Sequence, residues 1–402
     1  MTTSGRHNYR NDYWDVVIVG GAVIGSSVAY FLTENPDFDG SVLVVEPDPT
    51  YEHSSTTLSL ASIRHQFSNP INIEISMFGT EFGRDFHSRV EVDGNAPDLA
   101  FRETGYMFCA SDSSLPQLRR NVTLQQNHGA DVKLLSTREV ADRFPYLNVD
   151  DLAGCSLGET GEGTLDAYSL LMGFKQRARH NGAVYSTGRV TGLVASGARV
   201  THVELDSGQR ISCGHVVNAA GTGAAHIASL LGLDLPVEPR RRSVFVFACD
   251  VPIERRFPLT IDTTGVHVRT EGPYFVAGGV PLNDTAVETG DFAVAADEFY
   301  DQVWPALAHR IPQFDRIKLL RSWAGHYAYN TLDQNAVVGA PPQVENFLFA
   351  NGFSGHGLQQ APAVGRGIGE LITYGAYRSL DLSDLGYGRI LSGEPFVEEA
   401  II

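Results

Sequence analysis

Residues Asp15 to Glu46 read DVVIVGGAVIGSSVAYFLTENPDFDGSVLVVE, and the fold is decided there. Val16 to Val19 is an apolar, β-branched run, the pattern of a strand buried on both faces. Gly20-Gly21-Ala22-Val23-Ile24-Gly25 makes a tight turn, and a helical pattern follows with Val28, Phe31 and Leu32 on one face. Val42 to Val45 is a second buried strand, and it ends on Glu46. Strand, glycine turn, helix, strand and terminal acid together make a dinucleotide fingerprint, with the carboxylate placed to hydrogen-bond a ribose hydroxyl. The spacing has a physical reason. A pyrophosphate needs backbone N–H donors and the positive end of a helix dipole. Gly20 allows the turn, and Gly25 lets the helix pack close to the strand. Position 22, where the motif carries its second glycine, is Ala22, which puts a methyl group where backbone would approach the phosphates. A βαβ unit that binds nothing is the competing reading of this stretch.

A chain of 402 residues can bury more than one core. A net charge of -17 and a pI near 5.1 argue against nucleic acid and anionic membrane surfaces as partners. Lysines are few: Lys133, Lys175 and Lys318. Cys109, Cys155, Cys213 and Cys249 are far apart and form no C-x-x-C, so neither a metal site nor a disulfide framework is expected, and a reducing cytoplasm is the default. No apolar run reaches the roughly 20 residues of a spanning helix. Residues 1–12 read as a short, flexible polar tail without room for a secretory signal.

After Glu46 comes a long polar loop, PDPTYEHSSTTLSLASIRHQFSNP, carrying Arg64 and His65. Loops at the carboxyl ends of parallel strands line the ligand crevice, and one this long is expected to be functional. A helix is expected from Asn69-Pro70, and from Phe101 the texture changes to an inserted segment. Gly158 to Gly163 is a glycine-rich turn, and Asp166 can cap a helix from Tyr168 to His180. Strand patterns at Val184–Thr187, Val190–Val194 and Val200–Leu205 lead to HVVNAAG, residues 215–221, a strand running into a glycine turn. From Pro236 a second, β-rich insert holds RSVFVFACD, GVHVRT and YFVAGGV. Phe347 to Ala350 is the last buried strand. It enters NGFSGHG, residues 351–357, and a helix is expected from near Pro362, with that proline in its first turn.

The fingerprint, the VVNAAG strand and the GFSGHGLQQAP loop (residues 352–362) together make a chain that resembles the D-amino acid oxidase/sarcosine oxidase family of flavoproteins, over nearly its whole length. PVEPRRR (236–242), VWPALAHRIP (303–312), RSWAGHYAYNTLDQNAVVG (321–339) and the terminal Ile401-Ile402 also carry the likeness. The resemblance implies an α/β fold: a Rossmann-like FAD-binding domain interleaved with a β-rich α+β substrate domain. The FAD-binding part is expected in residues 13–100, 148–232 and 333–402, and the substrate part in 101–147 and 233–332.

The cofactor implied is FAD. By resemblance, Gly20, Ala22, Val23, Ile24 and Gly25 sit at the pyrophosphate. Glu46 and Pro47 lie at the adenosine ribose, Val190 on the adenine side, and Ala220 and Gly221 on the cofactor's flank. Ser55, Thr56, Ser62, Gly352, Gly355, His356, Gly357, Leu358 and Gln359 complete the cofactor set, the last five bordering the flavin pyrimidine ring. There the following helix's positive end would stabilise charge on the reduced flavin. The implied reaction is hydride transfer from a carbon beside nitrogen in a secondary or N-alkyl amino acid or related amine, followed by imine hydrolysis. Positioning dominates such chemistry.

Arg64 matches the family's carboxylate clamp, for which a bidentate guanidinium is the physical fit. A surface arginine is the plainer alternative. His65 contacts cofactor or substrate, or is structural. Tyr327 and Tyr329 form the aromatic side of the substrate pocket, or pack in the core. His326 stands near the family's flavin-linking cysteine, so that covalent link is absent. A histidyl link would run through His53 or His65. Gln359 replaces a lysine that helps hold the carboxylate, and no lysine lies near Tyr274 to Val280 to activate oxygen. A dehydrogenase passing electrons to a quinone or a carrier protein is therefore open, alone or as a homo- or hetero-oligomer. The competing readings are a non-enzymatic flavoprotein or assembly factor that binds a protein partner, and one subunit of a hetero-oligomeric amine or opine oxidase.

Overall fold

The computed structural model describes residues 13–251 and 257–399. The tail expected to be flexible and the Ile401-Ile402 pair lie outside the described residues. Tyr13–Val19 lies within a sheet ordered Val337–Gly339, Phe347–Asn351, Arg210–Asn218, Tyr13–Val19, Val42–Glu46, Val184–Thr187. The last five of these run parallel. Parallel strands need cover on both faces, and Val16, Val17, Ile18 and Val44 are fully buried. The helices Val23–Glu34, Pro70–Arg84, Ala167–His180 and Gly357–Tyr374 bury Val28, Phe82, Phe174 and Ile368 over one face. Trp14, Leu43, Val216 and Phe347 pack on the other, partly under the ribbon Val190–Ser196 and Arg199–Leu205.

A second sheet runs Ile317–Asn330, Val237–Cys249, Tyr274–Gly278, His267–Glu271, Leu259–Ile261, Tyr106–Ala110, Gly154–Gly158, Val132–Leu135. One of its faces holds a core of Phe245, Phe247, Phe275 and Phe314. The other presents Val244, Val246 and Val276 to Leu60 on the long loop after Glu46. That face and that loop enclose the site.

Two expectations are corrected. Gly154–Gly158 falls in the stretch 148–232 assigned to the FAD-binding part, yet it pairs with Tyr106–Ala110 and Val132–Leu135 in the second sheet. Cys155 and Leu157 bury with Phe144 and Phe257 there, and that packing decides its sheet. The last long helix begins at Gly357, not near Pro362, so Pro362 lies inside it. Leu358 and Ala361 are buried and extend the apolar face past the proline.

That helix meets Val23–Glu34 closely. Ser27 Oγ donates to the Ala361 carbonyl at 2.7 Å. A Cβ on Gly365 would collide with Ser27 Oγ and lie 2.7 Å from the Ser27 carbonyl carbon. Gly365→Ala is expected to destabilise the protein by about 1–3 kcal/mol through overpacking. Denaturant unfolding measures this, and an unmoved midpoint would mean that the helices separate freely.

Candidate active site

The fingerprint turn is built from backbone against backbone. Gly20 has φ +98°, and a Cβ there would strike the Ala219 carbonyl. The Asn218–Gly221 turn is thereby pressed onto it, with Ala219 N–H donating to Val19 O at 2.9 Å. A Cβ on Gly25 would run into the Gly20 carbonyl. Ala22 is the N-cap with φ −69°, a value any residue adopts, so the missing glycine strains nothing in the backbone. No side chain of its own caps this helix, although Val23 N–H reaches Thr56 Oγ1 at 3.3 Å. Ile24 is half-buried beside Val23.

Glu46 accepts from Gly21 N–H at 2.7 Å and Asp48 N–H at 2.9 Å. Burial raises its pKa while these two N–H groups lower it. A carboxylate has about four lone-pair positions, so sites remain for ribose hydroxyls. Pro47 is exposed just beyond. Val190 is buried with Val45 in the core. Ala220 N–H donates to Asn218 Oδ1 at 3.2 Å, and a Cβ on Gly221 would meet nothing within 4 Å, so that flank is open.

At the other side of the crevice, Gly352 packs on Val237. Gly355 has φ +96°, and a Cβ there would come 2.5 Å from Tyr327 Cε2, so the phenol ring lies flat on that glycine. His356 is the N-cap of Gly357–Tyr374, again with no side-chain cap. Leu358 and Gln359 form the helix's first turn. Two helix N-termini, neither capped by its own N-cap side chain, thus stand at the carboxyl ends of parallel strands, a donor set that fits a pyrophosphate and an electron-rich ring.

Arg64 lies 2% exposed. Its guanidinium carbon is 3.9 Å from the centre of the Phe67 ring, and it donates to the Gln66 carbonyl. Its Nη2 stands 3.1 Å from His356 Nε2. Arginine has no acceptor, so that nitrogen accepts and the proton resides on Nδ1. Burial, then the neighbouring Arg64 charge, push the His356 pKa well down, which keeps the imidazole neutral. Gln359 Oε1 accepts from Arg64 N–H at 2.7 Å, so this neutral amide fixes the arginine's backbone.

The structure therefore gathers Arg64, His356, Gln359, Gly355 and Tyr327. Tyr329 lies two residues along the same strand face, bridged to Phe353, and Arg240 stacks on it at 5.0 Å. Among the described residues neither tyrosine hydroxyl has a protein partner. His65 does not join this group: its Nε2 bonds Thr80 Oγ1 at 2.8 Å and its ring packs on Gly161. Burial lowers its pKa to about 4. Ser62 pairs with Thr164 in a two-residue ribbon, and Ser55 lines a small cavity beside Tyr327. His326 points to the opposite face, stacked at 4.3 Å on Phe292, which also meets His53 at 4.8 Å.

Sequence reasoning missed Glu162, Arg242 and His267. Glu162 is fully buried. It accepts from His65 N–H at 2.5 Å and Gln66 Nε2 at 2.7 Å, and so braces the segment that carries Arg64. An acid placed in the Gly158–Gly163 turn was the available signal. Arg242 lay in view in the PRRR run, but its aim depends on strand register.

Residues 15–371 match the FAD dependent oxidoreductase family, DAO, and the chain belongs to it. FAD is its cofactor. FAD-dependent oxidoreductase domain-containing protein 1 of Bos taurus is 39% identical over 96% of this chain and 87% of its own. Sarcosine dehydrogenase, mitochondrial, of Mus musculus is 24% identical over 90% of this chain and 40% of its own. Among solved structures, L-proline dehydrogenase from P. horikoshii superposes with TM-score 0.84 at 26% identity, covering 96% of this chain and 100% of that one. Among the described residues no helix is long and apolar enough to cross a membrane.

Burial raises the Glu162 pKa from 4.5 to about 7. Between those values the folded protein keeps a proton that the unfolded chain gives up. Stability is therefore lost as pH rises through that window, by up to about 3 kcal/mol, and is level above it. Glu162→Gln removes this contribution. The stability difference between wild type and variant, from denaturant unfolding at pH 5 and pH 8, should shift in the variant's favour at the higher pH. A pH-independent difference would contradict the buried, proton-holding carboxyl.

Proposed function

We propose that this FAD-dependent oxidoreductase oxidises a secondary or N-alkyl amino acid, or a related amine, at its C–N bond. Bound flavin would accept the substrate hydride at N5, and water would then split the imine into amine and carbonyl products. The observation that carries this reading is the Arg64 guanidinium, held flat on Phe67 beside Tyr327 and neutral His356. A planar fork that cannot swing is suited to one carboxylate in one orientation. Tyr327 and Tyr329 supply an aromatic wall, and the uncapped N-terminus of Gly357–Tyr374 supplies a field that favours negative charge. The neutral state of His356 avoids a second cation competing for the same acid. No nucleophile or metal is called for. Two of the similar proteins are named for secondary amino acids, sarcosine and proline, and both are dehydrogenases.

The lysines support electron exit by a route other than oxygen. Lys133 pairs with Glu159, Lys175 bonds Tyr51, and Lys318 is exposed nine residues along the strand from Tyr327. None reaches the sheet face opposite the loop. A quinone or a carrier protein, or a companion subunit, is the acceptor in this reading.

The test is an anaerobic spectrum of the FAD-loaded protein against a panel of N-alkyl amino acids and opines. One compound should bleach the visible flavin band, and admitted air should restore it slowly, while an artificial quinone restores it fast. A flavin that no amine reduces overturns the reading. Arg64→Ala should weaken binding of the reducing acid by about 2–5 kcal/mol, and unchanged apparent affinity would remove the clamp.

A further inference from the structure

Glu162 is a buried acid close to Arg64 that the amine chemistry above does not use. Its side chain is walled in: it is 0% exposed, and a Cβ on Gly158 would strike its carboxylate. The groups that hold it are neutral donors, His65 N–H on Oε1 and Gln66 Nε2 on Oε2. Among the described residues the carboxylate forms no ion pair. Full burial without a paired cation disfavours the charged form, and such a group exchanges its charge for a proton. N–H donors act in the other direction, since they favour the carboxylate. The acid is thereby poised between its two states, with a pKa of about 7.

One residue connects this acid to the clamp. The Gln66 carbonyl accepts from Arg64 Nη1. The Gln66 side-chain amide donates to Glu162 and, at 2.9 Å, to the Tyr106 carbonyl, and its oxygen accepts from Ser156 Oγ. Both hydrogens and the oxygen of that amide are engaged, which fixes guanidinium and carboxylate relative to one another. Arg64 acts on Glu162 through space and favours its ionised form. In an enclosed site such an action is several times stronger than in water. The other charged and titratable groups around the pair are accounted for. Glu398, Tyr106 and Tyr327 act on Arg64, and burial raises both phenols. His356 is held neutral, and His65, beside Arg84 and Glu103, titrates near 4. Glu159, in the same turn as Glu162, is taken up by Arg143 and Lys133.

We propose that Glu162 takes up a proton from solvent when an acid occupies the Arg64 clamp, so that an acidic substrate enters together with a proton. This rests on the Arg64 clamp of the reading above and states how that site is regulated. Without ligand, the guanidinium stabilises ionised Glu162. A bound carboxylate cancels that field and adds a negative charge of its own, so the ionised acid loses its support and a proton joins it. Affinity for an acid therefore falls as pH rises past the point at which free Glu162 gives up its proton. An acid is captured most readily below about pH 7, and an uncharged analogue is indifferent to pH.

The probe is methylthioacetate, a redox-inert acid with sulfur in place of the amine nitrogen, and the control is its neutral amide, methylthioacetamide. Each is titrated by calorimetry into the FAD-loaded protein between pH 6 and pH 8.5. Two buffers of different ionisation heat at each pH count the protons taken up. Wild type should bind the acid about tenfold more weakly at pH 8.5 than at pH 6, with about half a proton or more taken up near pH 8. The amide should take up none. Glu162→Gln should abolish the uptake and bind the acid at pH 8.5 about as tightly as wild type does at pH 6. A merely structural Glu162 would instead leave this variant weaker at every pH. The wild-type count needs no variant, so acid binding with no proton uptake overturns the inference by itself, as does uptake that persists in Glu162→Gln. Either result leaves the clamp standing if Arg64→Ala weakens the acid. Failure of methylthioacetate to bind, or binding that Arg64→Ala does not weaken, overturns the clamp and this inference with it.

Discussion

The contact between Ser27 and Ala361 joins residues 334 positions apart and holds two helices side by side. Gly365 makes it sterically possible. Each of these helices starts at the carboxyl end of a parallel strand, and neither is capped by its own N-cap side chain. The closeness of the two axes therefore puts two sets of unsatisfied N–H groups into one crevice. If the helices stood a few ångströms further apart, the phosphate end and the ring end of a dinucleotide would face separate surfaces. Gly79 plays the same part for a third helix, since a Cβ there would meet the Gln359 carbonyl. The loop with Arg64 leads directly into that helix, Pro70–Arg84, so Arg64 is referenced to the same frame.

Holding a guanidinium in an enclosed site needs more than one anchor. Arg64 has its backbone tied by Gln359, its plane set by Phe67 and one edge turned to His356. The next two residues are tied by the buried Glu162, through His65 N–H and the Gln66 amide. Three consecutive positions, 64 to 66, are thus held by Gln359 and Glu162, with Phe67 under the guanidinium. Rigidity of this kind is what a hydride transfer demands, because a misplacement of about 1 Å costs on the order of a hundredfold in rate.

The parts of this arrangement that were legible in the sequence are the ones encoded locally. The βαβ fingerprint is a run of period, turn and period within 32 residues, and its strand, helix and terminal acid stand where those signals put them. Arg64 could be picked out because it lies in a short motif within a polar loop. The start of the last helix was misplaced because Pro362 resembles an N-terminal signal, while burial of Leu358 and Ala361 carries the helix back to Gly357. Gly154–Gly158 went to the wrong sheet because five small or apolar residues say nothing about their partner strand. His267 and Arg242 could not be paired at all. Their neighbourhood depends on the register of Val237–Cys249 against Tyr274–Gly278, strands separated by residues 250–273, and no local pattern writes a register of that kind.

The neutral side chain of Gln359 bears on the whole charge plan of the crevice. A lysine at the helix start would be a mobile point charge close to Arg64, able to share one carboxylate with it. The neutral amide instead spends its oxygen on the Arg64 backbone, and His356, also neutral, spends its acceptor nitrogen on the Arg64 side chain. Neither of these two partners adds a charge beside Arg64. On the sheet side the opposite holds: Arg240 and Arg242 lie over Tyr329 and Tyr327, each tied to an acid on its own side of the crevice. The two arginines of the sheet side are thus each balanced by an acid of their own, whereas the groups that hold Arg64 by its backbone and by Nη2 are neutral.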